Sequence, residues 1–465
     1  MFKSIILCVF LILIVGSPSY SQVVEYETRD VAVGLNVPWE IRWGHDGWIW
    51  FTERAGRFSK VDPETGELKL LLRETEVHSY YELGMLGFDF HPQFPDSPYV
   101  YIVYTYADSL SGSDTTLYYE KIVRYTYLSD TLINRTTIFD GIKASESHNG
   151  SRVVAGPDKK LYITTGETYV APELAQQDTS PNGKILRLNL DGTIPDDNPW
   201  PGSPVWTKGH RNPQGLSFGP SGILYQSEHM TWHDDEVNII LRGRNYGWPV
   251  IEGPTDDGPE YGMKADSNCV DPITSWTPTI APTGIEYYNS ERFPLWKHSL
   301  LMTSLINQSL WHLELDSTGT GVINRTQYHL TLSHIDSTTK AGRMRDLCIS
   351  PDGRVFISTS NTWTPEYIPD RIFEVMPKKS SVAQHIYTSL SASLSPNPAE
   401  EYIRLSNLPV YGSTVELIDI LGRIVHSVTT SSLELKLSVY DIVSGAYYIR
   451  ITSDRGIQTI PVIIK

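Results

Sequence analysis

The feature that most constrains this chain is a loosely repeated unit, a Pro/Gly/Asp turn followed by a short apolar or aromatic strand. It recurs six times between about residues 30 and 376. The first three are Gly44-His45-Asp46-Gly47 before Trp48-Ile49-Trp50-Phe51, His91-Pro92 before Tyr99-Val100-Tyr101-Ile102, and Gly156-Pro157-Asp158 before Leu161-Tyr162-Ile163. Gly219-Pro220-Ser221-Gly222 before Ile223-Leu224-Tyr225, a weaker Phe293-Pro294 before Leu300-Leu301-Met302, and Ser350-Pro351-Asp352-Gly353 before Val355-Phe356-Ile357 complete the set. Several are answered by a second strand, as in Gly56-Arg57-Phe58-Ser59-Lys60-Val61, Gly183-Lys184-Ile185-Leu186-Arg187-Leu188 and Arg371-Ile372-Phe373-Glu374-Val375. The spacing leaves room for four short strands per unit. Radial repetition of such sheets hides their edges. The pattern therefore predicts an all-β, six-bladed β-propeller over residues 22–378; a pair of β-sandwiches is the competing reading. The 27 Tyr and 12 Trp beside 34 Gly and 30 Pro favour short strands and tight turns over long helices. The long insertions at 189–210 and 252–275 are expected as loops at one rim, where binding sites collect.

The two ends of the chain read differently from the body. Lys3, an apolar run over residues 5–15 and the small residues Ser19 and Ser21 describe a cleavable signal peptide over 1–21. The run is too short for a spanning anchor, and no later segment is apolar enough to cross a membrane. Residues 379–393 are polar and Ser-rich, as in a linker. Residues 394–465 then show alternating strands at 402–407, 414–420, 433–438, 446–452 and 457–464, a compact β-sandwich. Its Ser395-Pro396-Asn397-Pro398 opening, Ile418-Asp419-Ile420-Leu421-Gly422-Arg423, Gly445-Ala446-Tyr447-Tyr448 and final Lys465 resemble the C-terminal sorting domain of the type IX secretion system. A generic carbohydrate-binding sandwich is the alternative. The resemblance implies a protein exported through the periplasm, then secreted or attached to the cell surface, with the type IX machinery as partner.

The formal charge of -16 argues against nucleic acid, whose phosphates need clustered Lys and Arg. It suits Ca²⁺, neutral sugars or solubility alone, and selects none of them. Of three cysteines, Cys8 leaves with the signal segment. Cys269 and Cys348 are open to bridging in an oxidising compartment or to remaining free, Cys348 within the apolar run Asp346-Leu347-Cys348-Ile349.

Polar clusters interrupt the strand pattern. Glu146-Ser147-His148-Asn149-Gly150-Ser151-Arg152 offers His148, whose imidazole titrates near neutral pH and suits a general base. Gly209-His210-Arg211-Asn212-Pro213-Gln214-Gly215 is the second. In Gly342-Arg343-Met344-Arg345-Asp346 two arginines two apart leave a strand on one face. They seek carboxylates, either from neighbouring strands or from a ligand. The stretch from Ser227-Glu228-His229 through Asp234-Asp235-Glu236 to Asn245-Tyr246-Gly247-Trp248-Pro249 gathers carboxylates on a turn-rich loop. That suits Ca²⁺, though an acidic loop without metal reads the same.

In order and spacing these stretches resemble the glucose/sorbosone dehydrogenase family of soluble aldose sugar dehydrogenases that use pyrroloquinoline quinone. Val37-Pro38-Trp39, Glu82 with Gly84-Met85-Leu86-Gly87 and Phe90-His91-Pro92, and Ala281-Pro282-Thr283-Gly284 carry the match further. The resemblance implies oxidation of a sugar's C1 hydroxyl to a lactone, with His148 taking the hydroxyl proton and the quinone taking hydride. It implies Glu82, Arg211, Asn212, Arg343 and Arg345 as cofactor residues, and Glu236 and the Tyr246 carbonyl as Ca²⁺ ligands. Electrons would leave to an external acceptor, as no CxxCH haem motif is present. Two positions depart from the family pattern. Ile306 stands where a cofactor-binding lysine is usual, with no evident substitute, and Met230-Thr231 replaces a Gly-Pro whose backbone approaches the cofactor. These departures support the alternative of a cofactor-free surface module binding glycans or protein; a Ca²⁺-dependent hydrolase or lactonase on the same scaffold is a third reading.

Overall fold

The computed structural model describes residues 24–109, 116–336, 338–361, 368–378, 392–408, 412–420, 422–453 and 456–465. The expected signal peptide lies outside these residues, as does the expected linker apart from residues 392 and 393. The chain divides into two compact units, one ending at Lys378 and one beginning at Lys379.

Among the described residues the first unit holds six four-stranded antiparallel sheets. The first runs Pro38–Trp43, Ile49–Glu53, Arg57–Val61 and Leu68–Arg73 in sequence order, and the next four repeat that meander up to Tyr328. The apolar runs read from the sequence are the second strand of each sheet: Ile49–Glu53, Tyr99–Ser109, Lys160–Thr165, Leu224–His229, Ser299–Ser304 and Val355–Thr359. They are sandwiched within the unit, which is why they read as continuous rather than alternating hydrophobic runs. The answering segments are third strands, Arg57–Val61, Lys184–Asn189 and Asp370–Pro377. The Asp-Gly turns close the hairpins between first and second strands: Gly47 and Gly353 sit at φ 80° and 85°, a conformation open to glycine.

The sixth sheet is built from both ends of the unit. Met344–Ile349, Val355–Thr359 and Asp370–Pro377 accept Tyr26–Leu35 as their outer strand, so the N-terminal segment covers an edge that would otherwise be bare. The Arg371 guanidinium clasps Asp30 at 2.8 Å across that seam. The first strands contact one another in a closed cycle, from Pro38–Trp43 through Met85–Phe90, Gly150–Ala155, Asn212–Phe218, Pro282–Tyr288 and Met344–Ile349 back to the start. Buried Ile, Val, Leu and aromatic side chains fill the layers between consecutive sheets.

The insertion 252–275 is more than a loop. Gly258–Ser267 forms an α-helix, started by Asp257, whose carboxylate accepts from the Glu260 N–H at 3.1 Å, and ended by Asn268 at φ 57°. Cys269 and Cys348 are both free thiols, the second fully buried.

The second unit has a three-stranded sheet of Ser393–Ser395, Tyr402–Ser406 and Glu434–Ser438. A four-stranded sheet of Ile424–Thr430, Ser413–Asp419, Gly445–Ser453 and Gly456–Ile464 completes it. Ile403, Leu405 and Leu437 from one meet Val415, Leu417, Ile449, Ile451 and Val462 from the other in a common core. Ile424–Thr430 was not foreseen: it is a largely exposed edge strand, without the alternating burial that marks its neighbours.

Candidate active site

Each first strand of the six sheets carries a register shift within its opening residues, at Pro38/Ile41, Met85/Phe88, Gly150/Val153, Pro213/Gly215, Pro282/Ile285 and Met344/Asp346. Such bulges bend a strand and re-aim its side chains. Antiparallel pairing sets the end of each second strand beside the bulged start of the first. These ends and starts enclose a cavity of about 210 Å³, lined by Trp39, Arg54, Glu82, Leu86, Asn149, Gly150, Gln214, His229, Ala281, Leu305, Ile306, Arg343, Arg345 and Ser360.

Three of the expected residues, Glu82, Arg343 and Arg345, stand in the cavity wall itself. His148 is joined to it: its N–H donates to the Glu82 carboxylate at 2.9 Å, and its backbone is left-handed, φ 61°. Its Nδ1 lies 2.6 Å from Oε1 of Glu167, which is buried. Tyr169 packs edge-on against the ring at 5.1 Å. Asn212 serves the wall from behind. Its Oδ1 accepts from the Gly150 N–H at 3.2 Å and from Nε2 of Gln214 at 3.0 Å, while Oε1 of Gln214 accepts from Nη1 of Arg345 at 2.8 Å. Arg211 donates to the His229 carbonyl at 2.9 Å, and its guanidinium lies over Trp248.

Three guanidiniums, of Arg54, Arg343 and Arg345, stand in the wall beside the Glu82 carboxylate. Among the described residues none of Arg54, Arg211, Arg343 and Arg345 forms an ion pair. Burial lowers all four guanidiniums below their ordinary range, and Arg345, crowded further by Arg343, falls to about 9. Burial and the neighbouring Arg345 and Arg211 hold His229 well below the usual histidine range, so its ring is neutral at pH 7. Among the described residues, Nε of Arg54, Arg211 and Arg345, and Nε2 of His229, are buried without a hydrogen-bond partner. Unpaired buried polar groups are costly.

Glu236 and Tyr246 lie away from the cavity wall. Glu236 is buried directly across from Glu228 in the pairing of their strands, and burial beside that second carboxylate raises it well above the usual range. Tyr246 stacks on His210 at 4.7 Å and donates its hydroxyl to the Ile239 carbonyl at 2.5 Å. Among the described residues no three or more His, Cys, Asp or Glu side chains gather as a metal cluster. The two departures resolve differently. Ile306 sits at the cavity edge, 56% exposed, and offers no cation. Met230, for all that a side chain replaces glycine there, does not line the cavity: it is buried against Ala175 and Trp248.

Sequence reasoning missed Glu167 and Arg54. Both come directly after a second strand, Lys160–Thr165 and Ile49–Glu53, the position that also supplies Ile306 and Ser360. The signal that locates them is a polar residue placed one or two positions beyond the end of an apolar run.

Residues 35–365 match the family model described as Glucose / Sorbosone dehydrogenase, and residues 393–465 match the Secretion system C-terminal sorting domain. Quinoprotein glucose dehydrogenase B of Acinetobacter calcoaceticus is 33% identical over 419 residues, spanning 73% of this chain and 86% of that protein. The aldose sugar dehydrogenase of Escherichia coli is 28% identical over 344 residues, spanning 70% of this chain and 88% of its own. Among solved structures, the pyrroloquinoline quinone-bound aldose sugar dehydrogenase of Streptomyces coelicolor superposes with a TM-score of 0.63 at 31% identity, over 76% of this chain and 98% of that one. A sheet architecture that fits a propeller, a cation-lined cavity beside a histidine–glutamate pair and a family match over most of its length agree: the chain belongs to the glucose/sorbosone dehydrogenase family.

Proposed function

We propose that this protein is a quinoprotein oxidoreductase that oxidises the C1 hydroxyl of an aldose to the lactone, with His148 as general base. The observation that carries the reading is the His148–Glu167 pair, 2.6 Å apart, beside a cavity lined by unpaired guanidiniums. Glu167 accepts from Nδ1–H, which leaves Nε2 to take the sugar's hydroxyl proton, and its charge stabilises the imidazolium that results.

The residues in the cavity wall and Arg211 behind His229 fit pyrroloquinoline quinone, a tricarboxylate: among the described residues the buried Nε atoms of Arg54, Arg211 and Arg345 are donors in want of acceptors. Glu82, Arg211, Asn212, Arg343 and Arg345 are the residues we assign to holding it. When bound, it supplies the two-electron acceptor for the C1 hydride. Ca²⁺ is proposed at Glu236 and the Tyr246 carbonyl. The Glu228–Glu236 carboxylate pair and the partnerless, buried Oδ1 of Asn238 offer the oxygen donors that a hard cation takes.

In this reading each of the six sheets is one blade of a six-bladed propeller, and the C-terminal unit is a β-sandwich that delivers the protein through type IX secretion to the exterior or the cell surface. Reduced cofactor passes its electrons to an external acceptor. The test is titration of the full chain with pyrroloquinoline quinone and Ca²⁺, read by bound-quinone absorbance. Saturable one-to-one binding, dye reduction on adding an aldose and loss of both with EGTA are expected. The exposed Ile306 favours a second reading, a cofactor-free module that binds glycans or protein at the surface; absence of binding at high cofactor would establish it over the first.

A further inference from the structure

The cavity raises a question of charge. A lysine is absent at Ile306, yet the wall is not short of cations, because Arg54 stands in it with Arg343 and Arg345, and among the described residues Glu82 is the one carboxylate lining it. Arg54 is held as a binding group is held. Its Nη1 donates to the Tyr81 carbonyl, its Nε is buried with no partner, and its stem lies flat against Gly84. A Cβ at Gly84 would fall 2.2 Å from Cγ of Arg54, so only glycine there admits this side chain. Met85 fastens the backbone, its N–H donating to the Arg54 carbonyl at 2.9 Å. A guanidinium has five donors in a planar fork, and this one stands in the wall of a cavity whose described lining carries three guanidiniums and one carboxylate.

Resting on the quinoprotein reading, we propose that Arg54 binds a carboxylate of the cofactor and supplies the cation that position 306 lacks. Three guanidiniums in the wall then answer three carboxylates, and preorganisation by Gly84 and Tyr81 limits the entropy lost on binding.

The test uses the full chain with Ca²⁺ and reads binding by quinone absorbance rather than by turnover. Arg54→Gln keeps a donor for the Tyr81 carbonyl but removes the charge. It should weaken cofactor binding about tenfold to a hundredfold, the scale of one charge-assisted hydrogen bond, and make binding less sensitive to salt. Ile306→Lys introduced into that variant should recover most of the loss. If wild type fails to bind at all, the quinoprotein reading falls and this inference with it. If wild type binds and Arg54→Gln binds equally well, the inference is overturned and the reading stands. Weak binding that Ile306→Lys does not recover, with a lowered melting temperature of the apo variant, would make Arg54 a support for the 78–84 loop and overturn the inference too.

Discussion

At the residue scale the proposed chemistry turns on His148 and the side chain behind it. His148 is pinned by the Glu82 carboxylate at its N–H and by the Thr168 N–H on its carbonyl, and its ring by Glu167. Gly166 is what lets these segments meet, since a Cβ there would lie 1.8 Å from the His148 carbonyl oxygen. His148→Ala should lower kcat by about 10²- to 10⁴-fold, the worth of a general base, and leave cofactor binding within a few-fold. Glu167→Gln should lower kcat at nearly constant KM, because the lost charge matters only once the imidazolium forms. A change confined to KM would remove Glu167 from that role. His148 and the Arg-x-Arg pair were legible because their sequence neighbours form recognisable clusters. Glu167 and Arg54 were not, because each is a lone charge after a strand and gains meaning only from the residues that the fold brings opposite it.

At the scale of elements, the bulged openings of the six first strands do the aiming, and the layers behind them fix the strands. One of these supports titrates. Glu120 of the Thr116–Leu128 strand accepts from the Ser151 hydroxyl in the third sheet, and burial pushes its carboxyl up to about 8. The folded state therefore keeps a proton that the unfolded chain releases near 4.5. The stabilising contribution is full below about pH 4.5 and is lost as pH rises through about 8, at most about 1.4 kcal/mol per pH unit. Chemical unfolding across that window should show Glu120→Gln flattening this component of the pH dependence; an unchanged slope would mean that the group does not titrate there. The second strands were visible in the sequence because they are buried on both faces. The first strands were less so, Met344–Ile349 excepted, because polar side chains at most of their starts break the apolar run, and several of those side chains line the cavity.

At the scale of the molecule, the first unit is closed by its own N-terminal strand. Tyr26–Leu35 pairs with Asp370–Pro377, and Thr28 bonds Ser333 and Thr331 of a neighbouring segment. Deletion of residues 24–35 would bare a long sheet edge and take the Asp30 carboxylate away from Arg371 and His334. We expect the melting temperature to fall by more than about 10 °C, or the unit to aggregate, in calorimetry of the otherwise intact chain. A melt indistinguishable from wild type would show that the cycle of sheets holds without that strand.

The sequence by itself determined the local matters: strands in place of helices, turns at Asp-Gly and Gly-Pro steps, a second unit after residue 378 and the clusters carrying His148, Arg211, Arg343 and Arg345. These arise from rules that act over a few residues, namely burial period, turn conformation and motif spacing. Only the tertiary structure decided that the N-terminal strand completes the last sheet, that Met230 turns into the core, and that Arg54 joins Arg343 and Arg345 in the cavity wall. Each of those depends on residues tens or hundreds of positions apart, whose proximity is set by the closure of the sheets and is written in no single stretch of the chain.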